Sequence, residues 1–143
     1  MSEALNLEDD ILDVVRSLVV VLDRDGRIVR FNRACEEATG YVAAEVLGRF
    51  VFDVFIRPED AAAVRAVFAD LTAGVFPNSH ENHWRTKAGG ERWIHWSNTA
   101  RVGPDGQVRH VIGTGIDLTH NAALVEALGH AEGRFRDWVE ALP

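Results

Sequence analysis

The chain has 143 residues, 47% of them hydrophobic and 26% charged, which is enough for one globular domain that needs no disulfide or metal to hold it together. Its single cysteine, Cys35, excludes an internal disulfide and a four-cysteine zinc site. Fifteen Lys and Arg against 22 Asp and Glu leave a net charge of −7, which disfavours nonspecific binding to nucleic acid or to an anionic membrane.

Leu7, Ile11, Val14 and Leu18 recur at helical spacing and predict an amphipathic helix within residues 1–17. Asn6 is placed to cap it, and Glu8, Asp9 and Asp10 suit its positive end. Two β-branched runs follow, residues 18–22 and 28–31, separated by Asp23-Arg24-Asp25-Gly26, a hairpin turn. Asn32 reads as the cap of a short helix that ends at Thr39-Gly40, and residues 43–47 as one more helical turn stopped by Gly48. Pro58-Glu59-Asp60 opens the longest central helix, with Val64, Val67, Phe68 and Leu71 as its apolar stripe and Gly74 as its stop.

Three strands are expected next, residues 79–87, 92–102 and 107–117, joined by Ala88-Gly89-Gly90 and Pro104-Asp105-Gly106. Two strands, several helices and a three-stranded meander imply an α+β domain, with one antiparallel sheet and helices on one face. Leu124, Leu128, Ala131, Phe135, Trp138 and Leu142 then form a heptad seam, interrupted by Gly129 and Gly133. Residues 11–18 echo residues 135–142 in their apolar positions. The last segment therefore reads either as a linker helix or as the start of a second copy of the domain. No stretch approaches the ~20 apolar residues of a membrane span, and the acidic N-terminus lacks the basic region of a signal peptide. The expected location is cytoplasmic.

The run Asp25-Gly26-Arg27-Ile28-Val29-Arg30-Phe31-Asn32-Arg33-Ala34, then Thr39-Gly40-Tyr41 and Glu45-Val46-Leu47-Gly48, resembles the first half of a PAS domain. Pro58-Glu59-Asp60 fits the start of its long helix. Arg92-Trp93-Ile94-His95-Trp96 and Gly113-Thr114-Gly115-Ile116-Asp117-Leu118-Thr119 resemble its last two strands and its Asp-x-Thr exit. The resemblance implies a five-stranded antiparallel sheet cupped by small helices, and a sensory or interaction role within a larger signalling protein. It divides the chain into a cap helix (1–17), a PAS domain (18–118) and a C-terminal signalling helix (119–143).

Strand alternation then proposes a pocket. On the third strand His80, Asn82, Trp84 and Thr86 point inward, opposite Glu81, His83, Arg85 and Lys87. On the fourth, Ile94, Trp96, Asn98 and Ala100 share a face, which the PAS pattern places inward. On the fifth, Gly113 and Gly115 face in and Ile112, Thr114 and Ile116 face out. Two glycines beside two indoles leave room for a small ligand, with Val64 and Phe68 supplied by the long helix. The alternative is that Trp84 and Trp96 simply fill the core.

The resemblance also allows cofactors to be weighed. Blue-light flavin domains carry a cysteine after Gly-Arg-Asn, where this chain has Gly48-Arg49-Phe50-Val51, and their glutamine on the last strand is replaced by Gly115. Redox flavin domains have Pro-Trp-Ser-Gly where Pro77-Asn78-Ser79-His80 stands. The long helix offers no histidine to a haem. No cofactor is therefore expected, and Cys35 reads as a small core residue. His80 and His83 fall on opposite strand faces, and His95 with His110, on neighbouring strands, lacks an evident carboxylate, so no metal site is expected. Arg85, Lys87 and Arg92 read as a solvated basic strip.

With no phosphate loop, nucleophile elbow or kinase histidine motif in the sequence, the fragment is expected to be non-enzymatic. The expected role is a sensor module in a histidine kinase or a cyclic-dinucleotide enzyme. Asp117 and Thr119 would couple the sheet to the output helix. A homodimer would form through Leu7, Ile11, Val14, Leu124, Leu128 and Phe135. The alternatives are a ligand-free dimerisation domain and a small α+β enzyme with a buried acid–base dyad.

Overall fold

Leu18, Val20 and Leu22 alternate along the first β-branched run, and all three are buried, so one strand face meets a core from the start of the domain. The structure, a computed structural model, describes residues 16–119. In chain order it contains β1 (Leu18–Asp23), β2 (Ile28–Phe31), α1 (Arg33–Thr39), α2 (Ala43–Val46), α3 (Val51–Val54), a 3₁₀ turn (Pro58–Asp60), α4 (Ala61–Thr72), β3 (Asn78–Arg85), β4 (Glu91–Val102) and β5 (Val108–Asp117). The strands form one five-stranded sheet in the order β2-β1-β5-β4-β3, and every neighbouring pair is antiparallel. The proposed helices of residues 1–17 and 119–143, with Leu7, Ile11, Val14, Leu124, Leu128 and Phe135, lie outside the described residues or at their margin. Among the described residues no helix is long and apolar enough to cross a membrane.

Local chemistry accounts for the early elements. Asp23 Oδ1 accepts from the backbone nitrogens of Asp25 and Arg27, both at 2.9 Å, which closes the β1–β2 turn. Gly26 completes that turn at φ 92°, and a Cβ there would stand 2.9 Å from Phe52. Asn32 caps α1 by accepting from Cys35 N at 3.2 Å. The same oxygen accepts from Val19 N at 3.0 Å, which ties the helix start to β1. α1 ends at Gly40, which is left-handed at φ 81°. Asp60 precedes α4 as expected, and Gly74 follows its C-cap.

Most strand limits fall within a residue of the sequence reading, and two larger differences stand out. The third strand ends at Arg85 instead of continuing to Lys87, because Thr86 N bonds Gly90 O and Lys87 N bonds Thr39 O, which turns the chain into the hairpin. The one-turn helix α3 has no counterpart in the sequence reading. Four residues are too few to show a helical period, and no side chain caps it. It forms because Val51, Val54 and Phe55 are all buried.

The core lies between the helices and one face of the sheet. Phe55 is at its centre, stacked on Trp84 at 4.2 Å and facing Phe31 at 5.6 Å, with Tyr41 edge-on. The opposite sheet face carries Ile112, half-buried, and Ile116, which is 38% exposed.

Candidate functional site

An apolar cavity of about 70 Å³ lies between α4 and the inner face of the sheet. Val64, Val67, Phe68 and Leu71 of α4 form one wall. β3 and β4 form the other with His80, Asn82, Trp84, Trp96 and Asn98. Val20, Leu22, Val111 and Gly113 make the floor, and Val51, Phe52 and Ile56 close the side. The α3 segment reaches this position because it is hydrogen-bonded to the first hairpin. Gly48 N bonds Ile28 O, Ile28 N bonds Arg49 O and Val51 N bonds Gly26 O. A larger, shallow depression on the opposite sheet face is lined by Ser79, Ser97, Thr99 and Thr114 among others. It has no titratable side chain to give it chemistry.

Of the nine residues expected around a pocket, Asn82, Trp84, Trp96, Asn98, Gly113, Val64 and Phe68 are in the cavity wall. Ile94 and Gly115 are not, which corrects the sequence reading. Ile94 is fully buried, and the Trp96 ring covers Gly115, where an added Cβ would lie 2.8 Å from both Trp96 Cζ3 and Ile94 Cγ2. The same ring lies 3.2 Å from a Cβ placed at Gly113. The two glycines therefore seat an indole; the space they leave does not remain open. Alternation along β1 and β5 would have found Val20, Leu22 and Val111. Nothing in the sequence marks Val51, Phe52 or Ile56 as wall residues, since they come from a loop and a single helical turn.

The cavity's polar groups are few and specific. Trp96 Nε1 donates to Asn82 Oδ1 at 2.9 Å, a fully buried bond. Asn98 Nδ2 donates to Asn78 Oδ1 at 3.1 Å. The Cys35 thiol lies elsewhere in the core, where burial pushes its pKa up to about 12, so it is no nucleophile at neutral pH.

The other histidines are dispersed. His83 stacks on Trp93 across the outer face. His95 does have a carboxylate partner, Glu81 at 3.2 Å, contrary to the sequence reading. It does not approach His110, which pairs with Arg101, six residues along β4 and so about 20 Å away. Among the described residues no three His, Cys, Asp or Glu side chains are grouped to hold a metal ion. The basic strip is engaged piecewise: Lys87 pairs with Glu45 and Arg92 with Asp117, while Arg85 donates to the main-chain carbonyl of Asp53.

At the exit from the sheet, Asp117 Oδ1 accepts from Thr119 N at 3.0 Å and from Thr119 Oγ1 at 2.6 Å. Its other oxygen accepts from Arg92 Nε at 2.7 Å. Trp93 N donates to Thr119 Oγ1 at 2.8 Å, so both exit residues are fastened to the start of β4. Burial alone would raise the Asp117 carboxyl, but the hydrogen bonds from Thr119 and Arg92 outweigh it and the net direction is down. A depressed folded-state pKa means that the carboxylate stabilises the fold above the ordinary carboxylate range. That contribution is lost as pH falls through the folded value. Asp117→Asn is expected to cost about 1 kcal/mol at neutral pH. Urea unfolding followed down to about pH 3 should show wild type losing more stability than the variant. Parallel acid limbs would mean that the pair contributes nothing.

A family model described as PAS fold matches residues 9–118. The PAS domain of the Cronobacter turicensis quorum-sensing receptor RpfR, solved in complex with BDSF and with C12:0, is 32% identical at a TM-score of 0.62; the match covers 73% of this chain and 96% of that one. A PAS domain from Colwellia psychrerythraea superposes at a TM-score of 0.72 with 22% identity, over 81% of this chain and 98% of that one. The Escherichia coli (strain K12) cyclic di-GMP phosphodiesterase PdeR is 38% identical over 65 residues, 46% of this chain; the match spans only 10% of that relative's length. The matching five-stranded sheet, the matching helices and the family match over most of the chain lead to one conclusion: this chain belongs to the PAS family.

Proposed function

We propose that this PAS domain is a sensory module of a larger signalling protein and that its cavity receives the chain of a small aliphatic acid. The observation that carries this reading is the division of the cavity wall. Aliphatic and phenyl groups from α4, β1 and β5 face a short polar stretch of His80, Asn82 and Asn98, as an elongated ligand with one polar end requires. The RpfR domain, complexed with C12:0, supports the ligand class; in lipid shorthand that is a saturated twelve-carbon fatty acid. Drug-sized ligands occupy about 300–1,000 Å³, so the ligand must displace α4 to fit. That helix is loosely held, since Leu71 is its only buried residue while Val64, Val67 and Phe68 are half-buried. Outward movement of α4 is then the primary signal.

The match to PdeR favours a cyclic-dinucleotide enzyme as the parent over a histidine kinase. The domain itself is read as regulatory, cytoplasmic and free of haem or flavin. Val51 stands in the cavity wall and α4 carries no histidine. Output passes through Asp117 and Thr119 to a homodimer formed by the terminal segments. The competing reading is a ligand-free dimerisation domain, favoured by the small empty volume and by the Trp96 ring seated on both glycines.

Calorimetric titration of the folded protein with dodecanoic acid, kept below its micelle concentration, separates the two. Saturable one-to-one binding is expected, and Val67→Trp, which fills the cavity, should abolish it. Absence of binding by a cooperatively folded wild-type protein would leave the dimerisation reading in its place.

A further inference from the structure

Asn82 is the cavity residue whose hydrogen-bonding polarity is determined by its surroundings. It is 9% exposed, and its side-chain oxygen accepts from Trp96 Nε1 at 2.9 Å. An indole N–H can only donate, so the oxygen must face it and the amide nitrogen is turned to the other side. That nitrogen makes no hydrogen bond among the described residues. Nor is it sealed off, because Arg85 Nε is the only fully enclosed, unpaired side-chain nitrogen or oxygen among them. Asn82 lines the cavity, whose wall contains no Asp, Glu, Lys or Arg. Asn98 differs, because its partner is another amide, Asn78. The two can flip together, so their polarity is not imposed.

A donor without a protein acceptor in a mostly apolar cavity is unfavourable, and a ligand oxygen relieves that. We propose that Asn82, with Trp96 as its positioning residue, determines head-group specificity. Its two amide hydrogens are offered to an oxygen acceptor, so the cavity takes aliphatic chains ending in a carboxylate and rejects those ending in an ammonium. This assignment rests on the aliphatic-acid reading above and adds to it the group that recognises the acid.

The test compares dodecanoate with dodecylammonium by calorimetry, in enough salt to screen surface charge. Wild type is expected to prefer dodecanoate by about tenfold to a hundredfold, the range for a hydrogen bond to a charged group. Asn82→Asp keeps an oxygen for the Trp96 indole and replaces the donor with an acceptor, so the preference should reverse. A preference in Asn82→Asp within about twofold of wild type would overturn the assignment while leaving the aliphatic-acid reading standing. If that variant does not fold, the wild-type comparison decides, and equal affinity for the two head groups overturns the assignment. Failure of wild type to bind either chain overturns the aliphatic-acid reading and this assignment together.

Discussion

Phe55→Ala is expected to remove about 3–5 kcal/mol of folding stability, the usual cost of deleting a large buried aromatic. A domain of this kind has about 5–15 kcal/mol in total, so the variant should be marginal at room temperature. Phe55 has no exposed surface. It joins three elements and a loop: it caps the C-terminus of α3, faces Phe31 of β2, stacks on Trp84 of β3, and meets Tyr41 between α1 and α2. None of these neighbours can collapse into the vacancy without breaking its own packing, which places the site at the expensive end of the range. Phe55→Leu keeps most of the volume and should cost less, about 1.5 kcal/mol. Urea unfolding followed by tryptophan fluorescence measures both. A loss below about 1 kcal/mol for the alanine variant would show that the stack is not the centre of the core.

The second large effect is expected from adding a single methyl group. Gly115→Ala should destabilise the domain by about 1–3 kcal/mol, the cost of overpacking a tight core. The new Cβ would stand 2.8 Å from Ile94 Cγ2 and 2.8 Å from Trp96 Cζ3. Ile94 has no exposed surface and Trp96 only 4%, so neither can withdraw freely. Gly113→Ala should cost less, because its contacts are longer, 3.1 Å to Asn98 Oδ1 and 3.2 Å to Trp96 Cε3. The pair Gly115→Ala and Trp96→Leu tests the cause. Leucine has no ring, which removes the Trp96 part of the collision, so the double variant should be more stable than the sum of the single costs predicts. Strict additivity would mean that the indole is not what the glycine accommodates.

Much of the fold could be read from local pattern. Asp23, Gly26, Asn32 and Gly40 punctuate the first half through hydrogen bonds within a few residues of each other, and the positions they imply agree with the structure. The faces of β3, β4 and β5 follow from a period of two, so Trp84 and Trp96 point inward while Ile116 is exposed. The cavity was only partly legible. Asn82, Trp96, Asn98 and Gly113 carry a strand signal, whereas Phe52 and Ile56 reach the wall from a segment with no period of its own.

By itself, then, the sequence determined where most strands and helices lie, to within a residue or two, which strand faces are buried and which family's motifs are present. Those properties depend on neighbours one to four residues away, through alternation, capping and turn geometry. Tertiary structure alone decided how the interior space is shared. Trp96 settles on Gly113 of a neighbouring strand and Gly115 of the same strand, leaving about 70 Å³ beneath α4. The same ring takes the Asn82 side-chain oxygen as its acceptor, which leaves the amide nitrogen of a cavity residue for other partners. Both outcomes depend on which side of one indole meets residues distant in the chain. A rotamer choice of that kind is made by the packed neighbours and not by sequence spacing.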